Sequence, residues 1–280
     1  MRLADVAPAD SDRLLSVAPT VAFWVAAILY GAAAIGFLVA FLQNKPAALR
    51  AARAVLIGAF IAHGVDIGWR GVLHVHPAAS VREAIGFLAW IIAGGYLAAS
   101  ARFRLDLAGA VLAPIVLGFL AAARLSPTGS PRDDLSLLGR IHISLATVGV
   151  GVFALASALA AIYLLEERNL KRKKFDARSF KNPDASLDTL DGLSQRLVQA
   201  GFPVFTVAVG LGIAWVNERG ETMMRPEYPV AIVTWMAYAA LVAVRLGLGW
   251  RGRRTAWMAL GGFAAALCVL AIYFLRRLAG

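Results

Sequence analysis

Between Gly201 and Arg254 the chain carries two apolar runs, each long enough to cross a bilayer, on either side of a short polar loop from Asn217 to Glu227. The second run ends on a basic cluster, Arg251, Arg253 and Arg254. About 20 apolar residues in a helix span the hydrocarbon core, so this order reads as a membrane hairpin with its turn on one face and its basic exit on the other. Such a hairpin needs partners within the same bilayer, and the rest of the chain supplies them. Apolar blocks recur at roughly 17–42, 53–70, 83–100, 106–123, 140–165, 197–216, 228–246 and 255–275. The expected fold is therefore all-α: a polytopic membrane protein, a bundle of about eight transmembrane helices forming one domain over 1–280. Composition agrees, with 60% hydrophobic and 16% charged residues, where a soluble domain carries about 25% charged. Alternating segments of about ten residues, the mark of a membrane β-barrel, are missing from the sequence.

Charge sets the expected orientation. Lys and Arg crowd the connections after the first, third, fifth and seventh runs, most densely at Arg168–Lys181, which contains LKRKK. Basic loops stay cytoplasmic, which puts both termini outside, in a multi-pass protein of a bacterial inner (plasma) membrane. The same rule absorbs the net charge of +11. Membrane lipids surround such a chain, and nucleic acid is excluded as a partner because no soluble domain carries the charge. The segment 166–196 reads as a basic cytoplasmic loop ending in an amphipathic interfacial helix: Leu187, Leu190, Leu193 and Leu197 recur at helical spacing, and Asp184 or Ser186 can cap its start. The slightly acidic stretch Met1–Thr20 lacks the positive leader of a signal peptide, so the first run is expected to be retained. Cys268, the one cysteine, sits in the last run and is expected to act as a small apolar residue.

Ionisable residues inside a span are costly and mark function by default. His63, Asp66 and Arg70 fall at i, i+3 and i+7 of the second run and share a helical face. Asp66 can pair with Arg70, or it can orient the ring of His63 as carboxylates do for ligating histidines. His63 is then either a ligand or a buried histidine bonded to a neighbouring helix. His142 opens the fifth run beside Arg140 and is either a ligand or an interfacial residue. His74 and His76, two apart in a loop, are expected to be solvated, since two ligands make a weak metal site. Trp215, Trp235, Trp250 and Trp257 are either interfacial anchors or a shelf for a flat ligand. Glu218, Glu221 and Glu227 are expected to be solvated. No nucleophile–base pair, phosphate loop or metal-protease motif is present, so hydrolysis is not indicated.

Several stretches, in this order and spacing, resemble the cytochrome c assembly superfamily of the CcsA, ResC and CcmC type, most closely its short eight-span branch typified by HemX and YpjD. They are His63 followed by Arg70 and then HPAASVREAIGFLAW; His142 opening a span that ends YLLEERNLK; LDTLDGLSQRLVQAGFPVFT; and TW-x-x-YA followed by GWRGRR. The resemblance implies heme handling at the outer membrane face, with His63 and His142 as candidate axial ligands and Asp66, Arg70 and Arg140 as supporting or propionate-contacting residues. It implies a protein that binds or passes heme and need not be a catalyst, with other cytochrome c assembly proteins as partners. The alternative it offers is a HemX-like regulator or scaffold, without bound heme, of a cytoplasmic heme-biosynthesis enzyme. Larger members carry a tryptophan-rich platform between the sixth and seventh spans and a further outer histidine. Here that loop reads NERGETMMRPE and the chain ends YFLRRLAG, so both features are missing. Met223 and Met224 in the loop are soft ligands or plain apolar filler.

Overall fold

The computed structural model describes residues 8–43, 45–73, 75–77, 79–126, 136–172 and 186–279, with side chains between Thr20 and Arg276. Among these residues all regular secondary structure is helical: α1 (Pro8–Gln43), α2 (Pro46–Val72), α3 (Val81–Ser100), α4 (Asp106–Leu125), α5 (Leu137–Lys171), α6 (Leu187–Glu218), α7 (Glu227–Gly247) and α8 (Arg253–Ala279). Eight helices are long and apolar enough to cross a membrane, and the chain is a multi-pass membrane protein. Helix starts follow local chemistry. Ser80 accepts from the backbone N–H of Glu83 and Ser136 from that of Gly139, each covering a donor that the first turn leaves open. Pro46 enters α2 where a missing N–H costs nothing. Gly249 and Gly252, at φ of 64° and 73°, turn the chain sharply between α7 and α8.

The central helix is α5, not the hairpin that dominates the sequence. Its apolar window is 67% buried, against 17% to 39% in the other spans. Small residues allow this. A Cβ on Gly151 would come within 2.7 Å of Ile91 on α3, and one on Gly149 within 3.1 Å of Phe205 on α6. Lipid tails are as apolar as side chains, so helices associate in a bilayer through close packing and hydrogen bonds. Ser194 Oγ donates to the carbonyl of Ala156 (2.8 Å) and Ser157 Oγ to that of Ala259 (3.0 Å), tying α6 and α8 to α5. The rings of Phe153 and Tyr238 stack at 3.6 Å between α5 and α7. Outward faces carry Ile28, Ile35, Ile61, Val207 and Met236, as a lipid-facing surface requires.

The leucine-rich stretch expected as a surface helix is the first three turns of α6, continuous with the span. Ser186 is its cap, accepting from the N–H of Thr189 at 3.2 Å. Leu190 faces inward at 2% exposure, and its neighbour Asp191 anchors the helix. The Asp191 carboxylate accepts two bonds from Arg245 (3.1 and 2.7 Å) and one from the backbone N–H of Gly252 (3.0 Å), and lies 3.3 Å from Thr255 Oγ1. This ion pair joins α6 to the α7–α8 turn. The remainder of the expected loop, including LKRKK beyond Arg172 and Asp184, lies outside the described residues.

Candidate functional site

The end of α4 meets the start of α3, the start of α5 meets the end of α6, and His76 lies near Arg140, so these helix ends share one end of the bundle. There the middle of α1, the end of α2, the start of α3 and the end of α4 surround a cavity of about 260 Å³. His63, Asp66 and Arg70 all line it, on the shared face that their spacing predicts. Ile67, Phe87 and Leu120 supply apolar wall, and Arg82, Glu83 and Arg124 supply charge.

His63 is 2% exposed. Its Nδ1 lies 3.4 Å from the hydroxyl of Tyr30, a residue with no exposed surface, and the two rings meet edge to face at 5.8 Å. Nε2 points toward Gly86, where an added Cβ would come within 3.8 Å of it. One ring nitrogen is thus held by a phenol, and the other faces the cavity beside Gly86. Asp66 does not orient this ring. Its Oδ1 accepts from Arg70 Nε at 3.0 Å, the i,i+4 pairing. Arg70 Nη1 reaches Glu83 at 3.5 Å, and Glu83 also accepts from the Ser80 hydroxyl that caps its own helix. Both carboxylates of the wall are therefore engaged by Arg70.

Arg82 is differently placed. Its Nη2 donates to the carbonyls of Arg124 (3.0 Å) and Ser126 (2.8 Å) at the end of α4, while its Nε is buried without a partner. Neither Arg82 nor Arg124 has a carboxylate partner among the described residues.

His142 and Arg140 do not line this cavity. His142 packs against α6, where its Nδ1 lies 2.7 Å from the Ala208 carbonyl. A carbonyl only accepts, so Nδ1 carries the proton and Nε2 keeps its lone pair. Gly212 makes room for the ring, since its Cβ would sit 2.6 Å from His142 Cε1, and Trp215 lies 5.8 Å away. Arg140 is exposed at the mouth of the bundle. Partial burial, and then the Arg140 cation, hold the imidazole of His76 below its usual range, which places the α2–α3 loop near the start of α5. His74 lies outside the described residues.

Two expectations about the α6–α7 loop change. Glu221 and Glu227 are not solvated. Glu221 accepts from Arg219 and Arg225, each at 2.8 Å, and from the Tyr228 hydroxyl at 2.9 Å. Glu227 is 6% exposed and pairs with Arg276. The loop is folded around these carboxylates and leaves Met224 84% exposed. Trp235 donates its indole N–H to Thr206 at 3.0 Å and Trp257 is exposed on the helix exterior, so the tryptophans form no common shelf. Sequence reasoning missed Tyr30, Arg82, Glu83 and Arg124. Only Glu83 carried a signal, the Ser80-x-x-Glu83 capping box. No cluster of three or more His, Cys, Asp or Glu able to hold a metal ion occurs among the described residues.

The family model described as Cytochrome C assembly protein matches residues 78–280. His142, Arg140, Arg82 and Arg124 fall inside that match; His63, Asp66 and Arg70 precede it. Cytochrome c biogenesis protein CcsA of Guillardia theta is 28% identical over 224 residues, covering 72% of this chain and 74% of that protein. CcsA of Porphyra purpurea is 26% identical over 244 residues, covering 72% and 76%. Among solved structures, the cytochrome c heme lyase CcmF superposes with a TM-score of 0.66 at 19% identity, over 96% of this chain and 48% of that one. This chain spans about half the length of CcmF, and the likeness concerns the fold. The family match covers most of the helical bundle, and the chain belongs to the cytochrome c assembly protein family.

Proposed function

We propose that this chain handles heme in cytochrome c biogenesis, with His63 as an axial ligand in the cavity at the histidine end. The observation that carries the reading is the state of the His63 ring: buried, held at Nδ1 by Tyr30, and open at Nε2 toward a cavity whose wall is part apolar and part cationic. Imidazole nitrogen is a common heme ligand, and heme presents an apolar face with carboxylates at one edge, the chemistry this wall suits. Bound heme would be the cargo, supplying an iron to ligate and two propionates to anchor. His63 would hold the iron, Tyr30 would set the ring's tautomer, and Asp66 and Glu83 would hold Arg70 at the mouth. His142 is the second candidate ligand. Its Nε2 lone pair is available, but at the α5–α6 seam, away from the cavity lining. In this reading the arginine-rich end faces the cytoplasm and the cavity opens on the outer face of a bacterial plasma membrane, both termini lying outside with it. Other cytochrome c assembly proteins would then deliver or receive the heme.

The test is the absorption spectrum of detergent-purified protein from heme-replete cells, wild type beside His63→Ala and His142→Ala. A Soret band lost on His63→Ala supports the reading. A band lost only on His142→Ala moves the ligand to the α5–α6 seam, and no band in the wild type, oxidised or reduced, refutes heme binding.

A further inference from the structure

We propose that Arg82, with Arg124, selects ligands that bear carboxylates in the His63 cavity. This rests on the heme reading and goes beyond it by naming what would distinguish a charged porphyrin from a neutral one.

The charges in the wall do not cancel. Three guanidiniums, of Arg70, Arg82 and Arg124, face two carboxylates, of Asp66 and Glu83. Arg70 engages both carboxylates, so it offers little to a ligand, although its sequence position marked it for that role. Arg140, the other arginine so marked, is outside the lining. Arg82 remains. The carbonyls of Arg124 and Ser126 hold its Nη2 in place without neutralising its charge. Its Nε is buried with no acceptor. The guanidinium is only partly buried and has no carboxylate partner among the described residues, so an incoming carboxylate would supply the missing counter-charge. Position agrees. Arg82 and Gly86 are four residues apart on α3, so the cation lies one turn along the same face from the space opposite His63 Nε2.

The experiment titrates full-length protein in detergent with ferric protoporphyrin IX and with its dimethyl ester, which keeps the iron and the ring but has no carboxylates. Wild type should bind the diacid more tightly. Arg82→Gln should weaken the diacid about tenfold or more and leave the ester unchanged, Arg82→Lys should keep part of the preference, and Arg124→Gln should lose a smaller part. Arg82 also ties α3 to α4, so melting and elution of each variant are measured alongside. If Arg82→Gln does not fold, Arg82→Lys and Arg124→Gln carry the comparison. An unchanged diacid-to-ester ratio in both, or equal weakening of both porphyrins in Arg82→Gln, overturns the proposal. Equal binding of both porphyrins by wild type overturns it too while leaving the heme reading intact. Binding of neither overturns the heme reading itself.

Discussion

Replacing Asp191 with alanine should destabilise the bundle at the end remote from the histidines. In the native chain the Asp191 and Arg245 side chains are 12% and 10% exposed and meet at 2.7 Å. Removing the carboxylate leaves Arg245, among the described residues, with only the Trp250 carbonyl as acceptor, at 3.1 Å. Breaking one side of a buried pair costs about 3–5 kcal/mol. Part of the Arg245 surface can reach water, so the lower figure, about 3 kcal/mol, applies here. For a chain of this size each kcal/mol lowers Tm by about 2–4 °C, giving a fall of about 6–12 °C. The assay is the loss of the monodisperse elution peak on heating the detergent-solubilised protein, followed by fluorescence. Arg245→Leu should lose a similar amount. The double variant Asp191→Ala/Arg245→Leu should be less damaged than the sum of the single changes by up to about 3 kcal/mol, since no unpaired charge remains. A fall below about 2 °C for Asp191→Ala, or simple additivity in the double variant, would refute the assignment of this pair as the clamp between α6 and the α7–α8 turn.

Gly86→Leu should abolish any Soret band while the protein still folds, because the new side chain extends toward His63 Nε2 into the cavity; retention of the wild-type spectrum would show that the ligand binds elsewhere. Tyr30→Phe removes one hydrogen bond, about 1 kcal/mol, and should shift the Soret maximum or the reduction potential of a heme-loaded sample while leaving Tm within a few degrees; an unchanged spectrum would mean that the phenol does not tune His63. His76 stays neutral in the folded protein to lower pH than a free imidazole, whose value is about 6.5. Below that value the unfolded chain takes up the proton first, so this residue's contribution to stability is complete above about pH 6.5 and declines as pH falls. Melting measured from pH 8 to 5 should therefore fall less steeply in His76→Gln than in wild type, and identical slopes would contradict the expectation.

The sequence and the structure agree most where a property is local. All eight spans were legible because length and apolarity are carried by consecutive residues. The helix start near Asp184 or Ser186 was legible for the same reason, as was the common face of His63, Asp66 and Arg70, which helical geometry dictates from spacing alone. The limits appear at particular residues. Asp66 had two sequence-compatible partners, and only the folded α2 shows it bonded to Arg70. Glu221 and Glu227 read as solvated because nothing nearby in sequence announces that Arg219, Arg225, Tyr228 and the distant Arg276 converge on them. The leucines at 187–197 have the spacing of a surface helix, but the same spacing serves a helix that packs on α5, and Asp191 pairing with Arg245 decides between them.

The cavity is the clearest case. His63, Asp66 and Arg70 were visible as residue types, but Tyr30, Arg82 and Arg124 lie on three other helices, and nothing in their own neighbourhoods sets them apart. What the sequence determined by itself was the class of the protein, a helical bundle in a membrane, because the hydrocarbon core accepts only long apolar segments whose backbone bonds are satisfied internally. What the tertiary structure decided was which helix is central and which side chains meet in the cavity. Close approach at Gly149 and Gly151 and pairing between distant charges are properties of two segments at once, and a single stretch of sequence holds only half of each.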